Sequence, residues 1–286
     1  MKIKRYRQLE DKELKEVRQV LKECQEYDQT SREPYLSNQL NFDQTMPAFF
    51  LAYDQQVLQG FLAVYADDYE PEISIYVRPE ARRKGLARSL YQDYQEATAG
   101  FGLQKDYFAT ESVFVERHPD LMKAWSLLQT EDIELLMERQ RQPFSIEKRE
   151  DIEVCLASQE HVAAIAEVKT QAFGAGEGDE RLRYVREALA DPNSYLYIAV
   201  KDQKVVATCT VDVSTNEDYI FGLAVEEAVR QQGIGSYLVQ SVVNDRIKNG
   251  QKRAFQLAVD KDNDVARTLY EKLDFKVVTE ICYYTA

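Results

Sequence analysis

Short apolar runs closed by polar turns alternate along this chain with segments whose apolar residues recur at helical spacing, and the order of the two repeats itself. In the first half, residues 2–9 read as an opening strand and residues 11–22 as a helix with Leu14, Val17 and Leu21 on one face. Residues 49–53 and 57–64 read as a hairpin around Asp54-Gln55-Gln56. The strand 73–77 follows and stops at Arg78-Pro79, and a helix begins near Ala87. In the second half, a strand at 152–156 precedes a helix at 159–170 capped by Ser158, with Val162, Ile165 and Ala166 inward. A second helix at 181–189 leads to a hairpin, 195–201 and 205–213, around Asp202-Gln203. The strand 219–225, a helix bearing Leu238, Val239, Val242, Val243 and Ile247 that ends at Asn249-Gly250, and the strand 257–260 come next. A helix over 263–275 and a strand over 276–284, alternating Val277, Thr279, Ile281 and Tyr283, complete the second sheet.

The recurrence is also visible residue by residue. Ala52-Tyr53-Asp54-Gln55-Gln56-Val57-Leu58 aligns with Val200-Lys201-Asp202-Gln203-Lys204-Val205-Val206. At the same offset and without a gap, Arg82-Arg83-Lys84-Gly85-Leu86-Ala87 aligns with Arg230-Gln231-Gln232-Gly233-Ile234-Gly235. Two copies of one module are the simplest reading. The polar, Pro-terminated stretch Glu138 to Pro143 and the charge run Glu147-Lys148-Arg149-Glu150-Asp151 set the boundary, giving modules at 1–145 and 150–286.

The repeated loop carries the chemistry. It joins an apolar strand to the N-terminus of a helix, where the first backbone N–H groups lack intrahelical partners and the dipole is positive. Glycine lets a ligand approach that backbone closely, and Arg230 adds charge, so the segment is suited to a pyrophosphate. Downstream lies the pattern Asn263-x-x-Ala266-x-x-Leu269-Tyr270-x-x-Leu273-x-Phe275. Strand, Arg-x-x-Gly-x-Gly loop, helix, strand and this last helix together resemble the GNAT N-acetyltransferase superfamily. The resemblance implies an α+β fold of two tandem modules, each a mixed, mostly antiparallel sheet flanked by helices, and acetyl-CoA as the acyl donor.

Composition narrows the partners. A chain of 286 residues with net charge -13 repels nucleic acid and anionic membranes, and no segment is apolar for long enough to span a bilayer. The start, Met1-Lys2-Ile3-Lys4-Arg5-Tyr6, has charges with no apolar run behind it and does not read as a signal peptide. Cys24, Cys155, Cys209 and Cys282 are far apart and only His118 and His161 could join them, so neither a metal site nor a disulfide framework is expected. A cytoplasmic enzyme with reduced thiols, acting as monomer or homodimer on a small-molecule or peptide amine, is the reading.

Acyl transfer from a thioester to an alkylamine requires a neutral amine, donors for the oxyanion and an acid for the departing thiolate. By the resemblance, Leu223, Ala224 and Val225 bond the pantetheine arm, Arg230, Gln231, Gln232, Gly233, Ile234, Gly235 and Ser236 hold the pyrophosphate, Asn263 meets the pantetheine, and Tyr270 is the general acid. Asp274 stands where the family has glycine. Glu217 is the leading candidate base, with Asp218 and Asp212 beside it. The first module repeats the loop at Val77, Arg82, Arg83, Lys84, Gly85, Leu86 and Ala87, but Met122 falls opposite Tyr270 and Trp125 cannot serve as an acid. His118, just before Pro119, reads as a helix-entry residue. The second module is therefore expected to be catalytic. Two alternatives remain open: chemistry in the first module with the second shaping the acceptor site, or a non-catalytic protein that senses acetyl-CoA.

Overall fold

The computed structural model describes residues 1–174, 179–250 and 254–285. Two compact units emerge. The first comprises Met1–Leu136 together with Val278–Ala286, and the second Met137–Val277. The glycine-bearing stretch 173–179, between the helices expected at 159–170 and 181–189, falls largely outside the described residues.

The first unit contains β1 (Lys2–Tyr6), α1 (Asp11–Asp28), β2 (Phe49–Asp54), β3 (Val57–Tyr65), β4 (Glu72–Val77), α2 (Leu86–Thr98), β5 (Tyr107–Glu111), the short helices α3 (Ser112–Arg117) and α4 (Asp120–Trp125), and most of β6 (Leu128–Arg139). β1 to β4 pair antiparallel in chain order, whereas β4 and β5 run parallel. Because side chains alternate across a strand, β2 divides its residues between two cores. Phe49 and Leu51 join Val17, Val20 and Leu21 of α1, and Phe50 and Ala52 join Leu90 and Tyr94 of α2. All four β2 residues are fully buried, which explains why this strand shows no polar face.

The second unit follows the same plan with β7 (Glu153–Leu156), α5 (Val162–Phe173), α6 (Asp179–Ala190), β8 (Ser194–Lys201), β9 (Lys204–Asp212), β10 (Asp218–Val225), α7 (Ile234–Asn249), β11 (Phe255–Asp260) and α8 (Asp264–Lys272). β7 to β10 are antiparallel and β10 pairs parallel with β11. Val162, Ile165 and Ala166 of α5 pack with Val185 of α6 and with Leu196 and Ile198 of β8.

The units depart from the two consecutive modules, 1–145 and 150–286, that the sequence suggests, since the end of β6, from Met137, falls in the second unit as well. Most of the final strand, β12 (Lys276–Thr285), belongs to the first unit, where Ile281 to Tyr284 pair antiparallel with β5, instead of closing the second sheet. Cys282 and Tyr284 lie in the core beneath α2, and the Tyr283 hydroxyl donates to Glu134 Oε2 at 2.6 Å. Alternating hydrophobicity identifies a strand but not its neighbour, and here the burying residues include the face opposite Val277 and Thr279.

Candidate active-site clefts

β4 and β5 pair only at Glu72 with Tyr107 and Ile73 with Phe108. Beyond that point the two strands no longer pair with each other, and a cavity of about 380 Å³ opens between them, lined by Ile75 and Val77 on one side and Ala109 and Thr110 on the other. Its floor at the C-terminal end of β4 is the repeated loop, with Arg82, Arg83, Gly85, Leu86 and Ala87 lining it. Local conformation makes that loop. Arg83 adopts φ +61° and Gly85 φ +81°, so the chain turns twice into the left-handed region, which glycine tolerates best, before α2 begins without a side-chain cap. The opening N–H groups of α2 consequently face the loop unspent. Lys84 lies outside this arrangement, its Nζ donating to Glu80 O at 2.9 Å.

Arg82 braces the loop and does not point at a ligand. Its Nε donates to Val77 O at 2.9 Å, and its Nη1 and Nη2 reach the two Asp28 oxygens at 2.8 and 2.5 Å. Asp28 closes α1, is 3% exposed, and also meets His118 Nε2 at 3.2 Å from its Oδ1. His118 leads into α4 as a helix-entry residue, its carbonyl accepting from Leu121 N at 2.9 Å, and it also ends α3 and lines the cavity over the Phe114 ring. The buried Glu111 carboxylate accepts from Ser31 N at 2.8 Å and Arg32 N at 2.9 Å, fixing the segment after α1 against the end of β5. The Arg32 guanidinium in turn donates to Ser74 Oγ at 2.9 Å and pairs with Glu72. Burial pushes the Cys24 thiol up to about 11, and its Sγ donates to Val77 O. Met122, which the sequence offset sets opposite Tyr270, and Trp125 line the cavity.

The second unit repeats the loop closely. Gln231 takes φ +62° and Gly233 φ +75°, Arg230 Nε donates to Val225 O at 3.0 Å, and α7 starts at Ile234, with Ile234 and Gly235 buried and Ser236 half-buried in its first turn. Gln232 is engaged twice, its carbonyl by Arg149 Nη1 at 2.8 Å and its side-chain oxygen by Lys201 Nζ at 3.1 Å. Arg149, read from sequence only as part of a charged linker, thus sits on the loop. β10 pairs with β11 only at Asp218 and Tyr219, leaving Leu223, Ala224 and Val225 unpaired on that edge. On its other edge β10 carries an irregularity that β4 lacks, a register shift against β9 between Phe221 and Ala224, with Gly222 at φ +61°.

Asn263 caps α8, its Oδ1 accepting from Ala266 N at 3.1 Å. Tyr270 is 8% exposed and edge-on to Phe275, and burial, followed by the proximity of Cys209, holds its hydroxyl above the usual phenol range. Asp274 adopts φ +61°, the left-handed region that glycine enters without strain and Asp more readily than most residues. Glu217 is not brought to the irregular part of β10. Its Oε2 accepts from Ala254 N at 2.7 Å at the paired end of the strands, about 16 Å of extended chain before Gly222 at ~3.3 Å per residue. Asp218 is likewise spent, buried against Arg141 at 2.7 Å, and Asp212 accepts from Ser214. Among the described residues, no group of three or more His, Cys, Asp or Glu is arranged to hold a metal, and no helix is long and apolar enough to cross a membrane.

Each unit thus has a parallel strand pair that splays beside a glycine-bearing loop. The sequence profile of the acetyltransferase (GNAT) family matches residues 14–117 and again 162–275, and the chain belongs to that family. Among solved structures it is similar over its full length to a GCN5-related N-acetyltransferase from Sphaerobacter thermophilus, with 18% identity, 95% of that chain covered and a TM-score of 0.72. A tandem GNAT protein from the clavulanic acid biosynthesis pathway also matches the full length, with 14% identity, 98% of that chain covered and a TM-score of 0.71. A GNAT-family acetyltransferase from Colwellia psychrerythraea gives 17% identity, 99% coverage of that chain and a TM-score of 0.61, again over the whole of this one. At such identities the likeness is one of fold. No curated protein sequence matches the chain.

Proposed function

We propose that the protein is an acetyl-CoA-dependent N-acetyltransferase whose principal cofactor cleft lies in the first unit, with an amine as acceptor. The cavity between β4 and β5, running onto the unspent amides at the start of α2, is the observation that carries this reading. Acetyl-CoA would supply an activated acyl group as a thioester. The chain's part is to hold the diphosphate on the backbone N–H groups of Leu86 and Ala87, with Arg82 and Asp28 keeping that backbone in place. His118 is the group suited to accept the amine proton. A carboxylate oxygen can only accept, so His118 Nε2 carries the hydrogen facing Asp28 and Nδ1 keeps its lone pair.

A second reading puts the transfer in the second unit, with Tyr270 donating to the departing sulfur. It is favoured by the β10 irregularity at Gly222 and by Asn263 and Tyr270 on the helix that follows β11. Gly85→Trp and Gly233→Trp, each followed by acetyl-CoA calorimetry and by thiol release across an amine panel, separate the two. The first reading expects turnover lost with Gly85→Trp and kept with Gly233→Trp. The opposite pattern, with Tyr270→Phe slowing turnover about ten-fold or more, would transfer the chemistry to the second unit.

A further inference from the structure

The irregular part of β10 already has an amine beside it. A Cβ built on Gly222 would stand 2.8 Å from Lys169 Nζ, so the side chain of Lys169, which comes from α5, occupies the space that the glycine leaves open. Lys169 is half-buried, its Nζ lies 5.0 Å from the centre of the Tyr184 ring, and among the described residues it forms no hydrogen bond or ion pair. Among the described residues no carboxylate pairs with that ammonium, as one ordinarily would. Burial brings the group down to about 8 from its ordinary 10.5, so a fraction is unprotonated near neutral pH. Cys209 on β9 interacts electrostatically with both Lys169 and Tyr270, which puts amine, thiol and phenol in one neighbourhood.

We propose that Lys169 is an internal acyl acceptor, a self-modification site facing the Gly222 bulge and served by acetyl-CoA bound on the loop at 231–235. The inference rests on the second unit admitting acetyl-CoA as the first does. The Nζ lone pair attacks the thioester carbonyl carbon, a C–N bond forms, and the C–S bond breaks with its electron pair leaving on sulfur. The proton surplus on nitrogen ends on that sulfur, so the products are Nε-acetyl-lysine and the free thiol of coenzyme A. No further reactant is needed. Proximity supplies the advantage, since the amine is held where an external acceptor would have to diffuse and orient. Acetylation would remove the positive charge and leave a neutral amide beside Gly222.

The test is to incubate the full chain with acetyl-CoA and follow it by intact mass and peptide mapping, alongside Gly233→Trp and the milder Arg230→Ala, with folding checked by circular dichroism. The expected result is one acetyl group on Lys169, formed at least about a hundred-fold faster than on surface lysines. It should be absent in Lys169→Arg and reduced in both loop variants, together with one equivalent of acetyl-CoA binding by calorimetry. If the loop variants lose that equivalent while Lys169 stays unmodified in the parent chain, the acceptor role is wrong and cofactor binding by the second unit stands. If no equivalent is lost, the second-unit binding and the inference fall together. Equal acetylation of Lys169 in the parent and the loop variants would mark it as unassisted chemistry and overturn the proposal.

Discussion

Replacing Asp28 with Asn tests how the first cleft is built. Asp28 is 3% exposed, both its oxygens are bound by Arg82, and His118 approaches one of them. Asparagine keeps the shape but removes the charge and presents an amide N–H₂ to at least one guanidinium N–H, leaving two donors facing each other. Breaking a buried pair from one side costs about 3–5 kcal/mol. The Arg82 side chain keeps 20% of its exposure and can recruit water, so the lower end, about 3 kcal/mol, is expected. At ~2–4 °C per kcal/mol this corresponds to a fall of roughly 6–12 °C in the melting temperature. Trp125 is the single tryptophan and lies in the first unit, so its fluorescence during urea unfolding reports on that unit. The double variant with Arg82→Gln should recover part of the loss, because the stranded cation is gone. A loss below about 1 kcal/mol, the size of an exposed pair, would refute the view that this pair organises the loop.

Other outcomes follow from the same geometry. His118→Gln should lower turnover by about a hundred-fold while leaving acetyl-CoA affinity within about two-fold, read from steady-state kinetics and calorimetry. Protein with Lys169 unmodified should gain stability relative to Lys169→Met as pH rises from about 8 to 10.5, because across that window the unfolded chain holds a proton that the folded one has released. Below about 8 both states are protonated and the difference should be flat, which paired denaturation curves will show. Alkylation of the native protein should label Cys155 first, since Cys24, Cys209 and Cys282 are buried and burial lifts Cys209 to about 12; peptide mapping at successive times checks the order.

The duplicated loop was legible because its chemistry is local. A left-handed turn, a glycine and an uncapped helix start are all written in consecutive residues, at 82–87 and at 230–235. The α1 helix and both hairpins were equally readable from periodicity, although α1 runs on to Asp28, several residues past the expected end at 22. That extension matters, since it delivers the carboxylate that holds Arg82. What escaped the sequence is long-range. Asp28 meets His118, and Glu111 the segment after α1, only through the packing of α1, β5 and α3, and none of the three has a spacing signature. The final strand reads as β from its alternation, yet its choice of β5 is set by Cys282 and Tyr284 fitting the first core. Glu217 is near β10 in sequence, but strand direction places it at the paired end, where it accepts from Ala254 N. Lys169 left no mark on the pattern of α5, and Gly222 gave no hint that an amine would fill its missing side chain.

The central claim is that coenzyme A lies in the wedge between β4 and β5. A crystal of the full chain grown with coenzyme A tests it most directly. The expected density places the diphosphate on the amides of Leu86 and Ala87, with the pantetheine arm running between Val77 and Thr110 toward His118. Density confined to the second unit, or a first-unit wedge that stays without ligand at saturating coenzyme A, would contradict it.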